Sequence, residues 1–148
     1  MSQTEITVRA ATHDDIPSLC ALEAECFSLP WSAAAFEDFF ANGCSVCLVA
    51  ECDGSVVGYV GMNLISGDGE ITNLAVTASS RGCGVATRLM DALTKTEGLS
   101  RLMLDVRVSN TPARALYTKC GFTVDGIRRN FYSHPREDAV LMSREITS

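Results

Sequence analysis

Between one apolar run, Ile71 to Val76, and a second, Arg101 to Val108, the chain places Ser80-Arg81-Gly82-Cys83-Gly84-Val85-Ala86-Thr87 and a helix-patterned stretch that closes at Gly98. Strand, glycine turn, helix and strand in that order form a crossover, and a crossover joining parallel strands is right-handed in almost every case. The centre of the chain is thereby committed to one arrangement, and the rest must fit around it. The turn has a second consequence. Gly82 and Gly84 let the backbone approach an anionic group closely, and the unpaired N–H groups of the following helix face that group with the positive end of the helix dipole. Gly82 to Thr87 is therefore a candidate phosphate cradle, although an ordinary strand-to-helix turn would use the same residues.

The flanking segments supply the remaining elements. Ile6, Val8 and Ala10 alternate as a first strand. Thr12, with Asp15 three residues on, resembles a capping box opening a helix through about Cys26, with Leu19, Leu22 and Cys26 as its apolar stripe. Ser32 is the expected N-cap of a second helix, in which Trp31 staples against Phe36. Val46, Leu48 and Ala50, then Val56 to Val60, flank Asp53-Gly54, a strong hairpin signal. The crossover helix is expected from Ala86 to Thr96. In the strand after it, Leu102, Leu104 and Val106 share one face and Met103, Asp105 and Arg107 the other. Asn110 caps a helix ending at Gly121, and Phe122 to Ile127 and Ala139 to Ile146 finish as strands around a loop holding Pro135. No repeat or linker divides the chain. The expectation is a single α/β domain over residues 1–148: an α+β mixed sheet with antiparallel N-terminal strands, one parallel strand-helix-strand crossover, a C-terminal helix and hairpin, and helices on both faces.

Such a domain is long enough to bury roughly two-thirds of the surface its unfolded chain exposes. With 47% hydrophobic and 20% charged residues, and no apolar run approaching the roughly 18 residues of a membrane span, it reads as soluble with no membrane partner. Met1 to Ala10 alternate like a strand and lack a basic region followed by an apolar core, so no secretory signal is expected and a cytoplasmic location follows. A net charge of −6 opposes binding to a phosphate backbone, and the one close basic cluster is Arg128-Arg129, so nucleic acid is not an expected partner. The seven cysteines read as reduced, small apolar residues. Cys44-x-x-Cys47 lacks the second Cys or His pair that zinc requires, and no metal is expected. His13 and His134 have no partner at a useful spacing and read as surface residues. A monomer is favoured.

Two nucleotide readings of the glycine turn fail on residue identity. A hydrolase loop needs Gly-Lys-Ser/Thr, and no lysine follows these glycines. Gly82-x-Gly84-x-x-Thr87 nearly matches a dinucleotide fingerprint, with Asp105 at the end of the next strand. Its third glycine is missing, however, and a hairpin precedes it where that fold wants a parallel sheet.

The residues instead resemble the GNAT superfamily of acetyl-coenzyme-A-dependent N-acetyltransferases. Its pyrophosphate motif, Arg/Gln-x-x-Gly-x-Gly/Ala, is met by Arg81, Gly84 and Ala86. A second block, Asn110-x-x-Ala113-x-x-Leu116-Tyr117-x-x-x-Gly121-Phe122, matches the superfamily's next helix. Three further stretches are similar to the branch that acetylates the N-terminal alanine of a ribosomal protein: Cys26-Phe27-Ser28-Leu29-Pro30-Trp31-Ser32, Asp105-Val106-Arg107-Val108-Ser109-Asn110, and Arg128-Arg129-Asn130-Phe131-Tyr132 followed by Glu137-Asp138-Ala139.

The resemblance implies acetyl-CoA as cosubstrate, no metal, and as acceptor a protein N-terminus such as that of a ribosomal protein. Leu74, Ala75 and Val76 would offer backbone groups to the pantetheine arm. Gly82, Cys83, Gly84, Val85, Ala86 and Thr87 would bind the pyrophosphate, and Asn110 would touch the cosubstrate. Val76 N–H, on a strand splayed from its neighbour in the family, would donate to the oxyanion, Tyr117 would be the general acid, and Trp31, Asp105 and Tyr132 would meet the acceptor. Where those relatives carry Glu, this chain has Asp105. Its carboxylate is set back by about one C–C bond, ~1.5 Å, so a bridging water is expected between it and an amine. Glu70, on the neighbouring strand, is the second candidate base.

Each residue also has a plainer reading. Asp105 could be a solvated strand-end carboxylate, Glu70 a surface residue, Tyr117 core, Trp31 only a staple and Tyr132 a loop aromatic. Transfer to a lysine or a small-molecule amine, and a coenzyme-A-binding domain without turnover, stand as alternatives.

Overall fold

The computed structural model describes residues 5–146; the start of the expected alternation, Met1 to Thr4, lies outside them. One seven-stranded sheet runs in the order β1-β2-β3-β4-β5-β7-β6. Its strands are β1 (Ile6–Ala10), β2 (Ser45–Cys52), β3 (Ser55–Ile65), β4 (Asp68–Val76), β5 (Arg101–Arg107), β6 (Thr123–Tyr132) and β7 (Glu137–Glu145). Every neighbouring pair is antiparallel except β4 and β5, which the crossover joins in parallel. The helices are α1 (Ile16–Cys26), α2 (Ala33–Ala41), α3 (Val85–Leu93) and α4 (Thr111–Lys119).

Local chemistry sets most of the boundaries. Thr12 N–H donates to Asp15 Oδ2 at 2.8 Å, and a 3-10 turn over His13–Asp15 feeds α1. Ser32 Oγ accepts from Ala35 N–H at 3.1 Å, and the Trp31 ring lies 5.3 Å from Phe36, so cap and staple fix the start of α2 together. Asn110 Oδ1 accepts from Ala113 N–H at 3.2 Å and opens α4. Asp53 (φ 54°) and Gly54 (φ 78°) are both left-handed, as a two-residue hairpin requires.

Three differences from the expected boundaries have a visible physical cause or change the topology of a turn. Helix α3 stops at Leu93 rather than Thr96, because the Thr94 and Thr96 hydroxyls donate to Asp91 O (2.6 Å) and Leu93 O (2.7 Å) and tighten the chain toward Gly98. Strand β3 continues beyond Val60 to Ile65 and turns through Ser66 (φ 52°) and Gly67 (φ 87°) directly into β4, a second tight hairpin. Strand β6 reaches Tyr132 rather than Ile127, its register broken between Arg128 and Tyr132, where Asn130 takes φ 53°.

The sheet separates two apolar layers. On one face Leu89, Met90 and Leu93 of α3 pack with Val60, Met62, Leu102, Leu104 and Met142. On the other, Leu19 and Leu22 of α1 and Phe36 and Phe39 of α2 pack with Val49, Tyr59 and Ala75. Helices α1 and α2 lie over β2, β3 and β4 and leave the β5 side of that face open. Asp105 is exposed there, between buried Leu104 and Val106.

One irregularity shapes everything functional. Strands β4 and β5 pair only at Asp68↔Arg101, Gly69↔Leu102 and Glu70↔Met103, then part. The cause lies on the other edge of β4, where its register with β3 jumps from Gly61↔Asn73 to Met62↔Ile71 and leaves Thr72 as an extra residue. Such a bulge bends the strand that carries it. The closed end is packed tightly: a Cβ on Gly69 would lie 2.6 Å from Met62 Sδ and 2.7 Å from Leu99 Cδ1.

Candidate active site

The parting of β4 from β5 opens a wedge lined by backbone. Thr77 N–H donates to Val57 O at 2.8 Å, so Thr77 and Val57 form a hydrogen-bonded pair. In an antiparallel ladder such pairs alternate with pairs whose N–H and C=O groups point outward. Val76, opposite Gly58, and Leu74, opposite Val60, are the outward-pointing residues. Their amides and carbonyls face the wedge, whereas Ala75, opposite Tyr59, turns its backbone to β3. The N–H and C=O of Leu74 and the N–H of Val76 are thus open hydrogen-bonding groups on an interior strand, while Val76 O is taken up by side chains.

The far end of the wedge meets the glycine turn. Gly82 (φ 82°) and Gly84 (φ 81°) are left-handed, and a Cβ at either would meet nothing within 4 Å. Open space above a backbone that demands glycine suits a close-lying ligand. Gly84 is the N-cap of α3, contributes no side-chain cap, and no acidic residue occupies the first turn, so the amides from Val85 to Thr87 keep their capacity for an external anion. The pyrophosphate of a coenzyme fits this donor set. Arg81 folds back toward the wedge, its Nε 3.0 Å from Val76 O and its guanidinium 3.3 Å from Cys26 Sγ. Cys26 Sγ in turn donates to Val76 O at 3.4 Å, which ties the end of α1 to the mouth of the wedge.

Side chains converge from β5, α4 and β6. Burial pushes the Tyr117 hydroxyl up to about 12, with the potentials of Cys120 and Tyr132 adding to it, so the phenol holds its proton. The Tyr132 hydroxyl is also raised, first by burial and then by the Asp105 carboxylate. Tyr117, Tyr132 and Asp105 are therefore electrostatic neighbours. Arg107 stacks on Tyr132 at 4.4 Å and pins the β6–β7 loop by donating to Ser133 O and Pro135 O and pairing with Glu137 at 3.1 Å. Glu70 is exposed and lies beside Met103, on the same sheet face as Asp105 but nearer the closed end. Asn110 spends its side-chain oxygen on the α4 cap and sits exposed at the helix start. Trp31 packs against Phe36 and Phe39, with Phe27 and Leu29 exposed in the segment before it.

A buried carboxylate escaped the sequence reading. Glu23, 1% exposed, accepts from Trp31 N–H (2.8 Å), the Tyr59 hydroxyl (2.5 Å) and Asn73 Nδ2 (2.8 Å). Its signal was available: it lies four residues after Leu19, inside the apolar stripe of α1, where a charge has no solvent. A separate groove of about 580 Å³ runs along Arg9, Asp15, Glu25 and Glu51. Its carboxylates are already held by Arg9, Thr77 and Ala78.

A profile described as the Acetyltransferase (GNAT) family matches residues 16–122. The chain is 37% identical over 144 residues, 95% of each chain, to a Bacillus subtilis protein provisionally named a [ribosomal protein bS18]-alanine N-acetyltransferase. It is 31% identical over 146 residues, 95% of this chain and 92% of the relative, to the N-alpha-acetyltransferase RimI of Mycobacterium tuberculosis. The crystal structure of the ribosomal-protein-S18-alanine N-acetyltransferase from Escherichia coli superposes with a TM-score of 0.86 at 27% identity, over 97% of this chain and 96% of that one.

Proposed function

The chain belongs to the acetyltransferase (GNAT) family, and from that premise we propose that it transfers the acetyl group of acetyl-CoA to the N-terminal α-amine of a protein, an alanine-initiated one such as ribosomal protein bS18. The wedge between β4 and β5 carries this reading, because it leaves the amides of Leu74 and Val76 unpaired on one strand and an exposed Asp105 on the other.

Acetyl-CoA supplies a thioester carbonyl; the chain must supply a neutral amine, an oxyanion donor and a proton for the departing sulfur. Leu74 and Val76 pair with the pantetheine arm, and Gly82 to Thr87 hold the pyrophosphate. Val76 N–H faces the carbonyl oxygen as negative charge develops there. Asp105 takes the amine proton through one water as the nitrogen bonds to the carbonyl carbon, and Tyr117 gives its proton to sulfur as the C–S bond breaks. Glu70 is the alternative base. Trp31 and Tyr132 flank the acceptor.

The amine's own acidity argues for an N-terminus. At pH 7 deprotonating an α-amine of pKa 7.7 to 8.0 costs about 1 to 1.4 kcal/mol, against roughly 4.6 kcal/mol for a lysine near 10.4. A set-back aspartate acting through water matches the smaller demand.

The test is thiol release from acetyl-CoA with an alanine-initiated bS18 peptide, the same peptide N-terminally blocked, and a blocked peptide bearing lysines. Release with the first alone, and mass-spectrometric placement of the acetyl group on the α-nitrogen, is expected. Equal turnover of the blocked lysine peptide would assign the enzyme to side-chain amines.

A further inference from the structure

The proposed mechanism leaves Glu23 without a duty, although its surroundings are unusual. A carboxylate 1% exposed is held by three donors, Trp31 N–H, Tyr59 O–H and Asn73 Nδ2, none of them a cation. Burying a carboxylate without a counter-ion is costly unless hydrogen bonds satisfy its oxygens. What the charge provides is an acceptor-only group: three donors can meet on a carboxylate, whereas a Gln would turn an N–H₂ toward one of them.

The donors belong to parts of the molecule with different tasks. Asn73 lies one residue after the bulged Thr72 and one before Leu74, whose backbone faces the wedge. Tyr59, 1% exposed, stands on β3 behind them. Trp31 ends the segment Phe27–Trp31, in which Phe27 is 38% and Leu29 80% exposed. That segment begins next to Cys26, bonded to Val76 O at the mouth of the wedge. The segment is thus held at its start by Cys26 and at its end by Glu23. Both attachments run to the diverging half of β4.

We infer that Glu23 is a positioning residue: through Trp31 N–H and Asn73 it sets the Phe27–Trp31 segment, as an apolar wall for the first side chain of the acceptor, in register with the wedge that holds the thioester. This rests on the function proposed above for the wedge. The acceptor chemistry it selects is a peptide with a small first side chain, since Phe27 and Leu29 are held rather than free to withdraw.

Three variants of the intact chain test it. Asn73→Asp sets two carboxylates face to face. Adding Glu23→Gln restores one donor and one acceptor across the same gap. Asn73→Ala removes the donor without adding charge, in case the aspartate variant fails to fold. Trp31 is the sole tryptophan, so its emission and its quenching by acrylamide report the segment without any need for activity. In Asn73→Asp and Asn73→Ala quenching should increase, and KM for the alanine-initiated peptide should rise by about tenfold while KM for acetyl-CoA changes far less. The double variant should recover both signals. A merely structural role would lower the melting temperature and kcat by shrinking the folded fraction and would leave both KM values alone; that outcome, or unaltered Trp31 quenching in both Asn73 variants, overturns the inference. Should the wild-type enzyme ignore the peptide, the proposed acceptor falls, and the Trp31 arm decides the Glu23 link by itself.

Discussion

Burial holds the Tyr117 hydroxyl up to about 12, so its O–H is still present near pH 9, where an α-amine acceptor is already mostly neutral. Tyr117→Phe keeps the ring against Phe122, 5.7 Å away, and removes only the donor. Turnover should fall by about 10²-fold with little change in coenzyme affinity, as stopped-assay kinetics and calorimetry would read. The raised value has a sign: the neutral form is favoured, so the wild-type rate should climb from about pH 7 to 9 with amine deprotonation and show no tyrosine-dependent fall below about pH 11. Asp105→Asn should lower turnover at pH 7, with much of the loss recovered near pH 9, where an α-amine is already mostly neutral. If Asp105 only attracts the cationic amine, KM will rise instead and high pH will bring no recovery. Glu70→Gln measured beside it chooses between the carboxylates: a pH-rescued defect there, with Asp105→Asn near wild type, moves the base to β4.

At the scale of the element, Asp15 links β1 to the entry of α1. Hydrogen bonds from Arg9 Nη1 and Nη2, each 2.8 Å, hold its carboxyl down from 3.8 to about 2. A depressed folded value means stability that is full above the ordinary carboxylate range and lost as pH falls through about 2. Asp15→Asn should therefore melt lower than wild type at pH 7, and the two melting temperatures should converge as the buffer is taken from pH 5 toward 2; a constant gap would deny the linkage. Features that depend on nearest neighbours in sequence were legible beforehand: the Asp53-Gly54 turn, the caps at Ser32 and Asn110, and the alternation that exposes Asp105. The continuation of β3 to Ile65 was not, because Gly61 at the bulge breaks the apolar run. The second register break in β6 falls in Arg128-Arg129-Asn130, whose polarity reads as loop. The position of Glu23, four residues after Leu19, signals burial, but its partners Tyr59 and Asn73 lie far off in sequence and only the fold brings them to it.

For the whole molecule, the family resemblance carried by the glycine motif and the α4 block implied a splayed strand at Val76, but no residue pattern marked where the splay begins. Where two strands stop pairing depends on one extra residue, Thr72, counted against a strand far away in sequence. Its geometry is checked by hydrogen exchange. In the unliganded protein the amides of Leu74 and Val76 should exchange much faster than that of Ala75, which bonds to β3, and coenzyme A should slow the first two selectively. Uniform protection along β4 would mean that the strands do not part in solution.

A row of unpaired N–H and C=O groups is what makes the outer strand of a sheet a hazard, since any extended chain can add to it. Strand β4 carries three such groups, Leu74 N–H, Leu74 C=O and Val76 N–H, in the middle of the sheet. The three residue pairs that join it to β5 close one end, and the gap widens away from them, so a second protein chain cannot align along it. A thin extended molecule can lie there and add one more rung on either side. The protein keeps an adhesive edge inside the sheet, where the closed end of the wedge limits what can add to it, and a ligand lying in the break would bridge β4 and β5 beyond their three pairs.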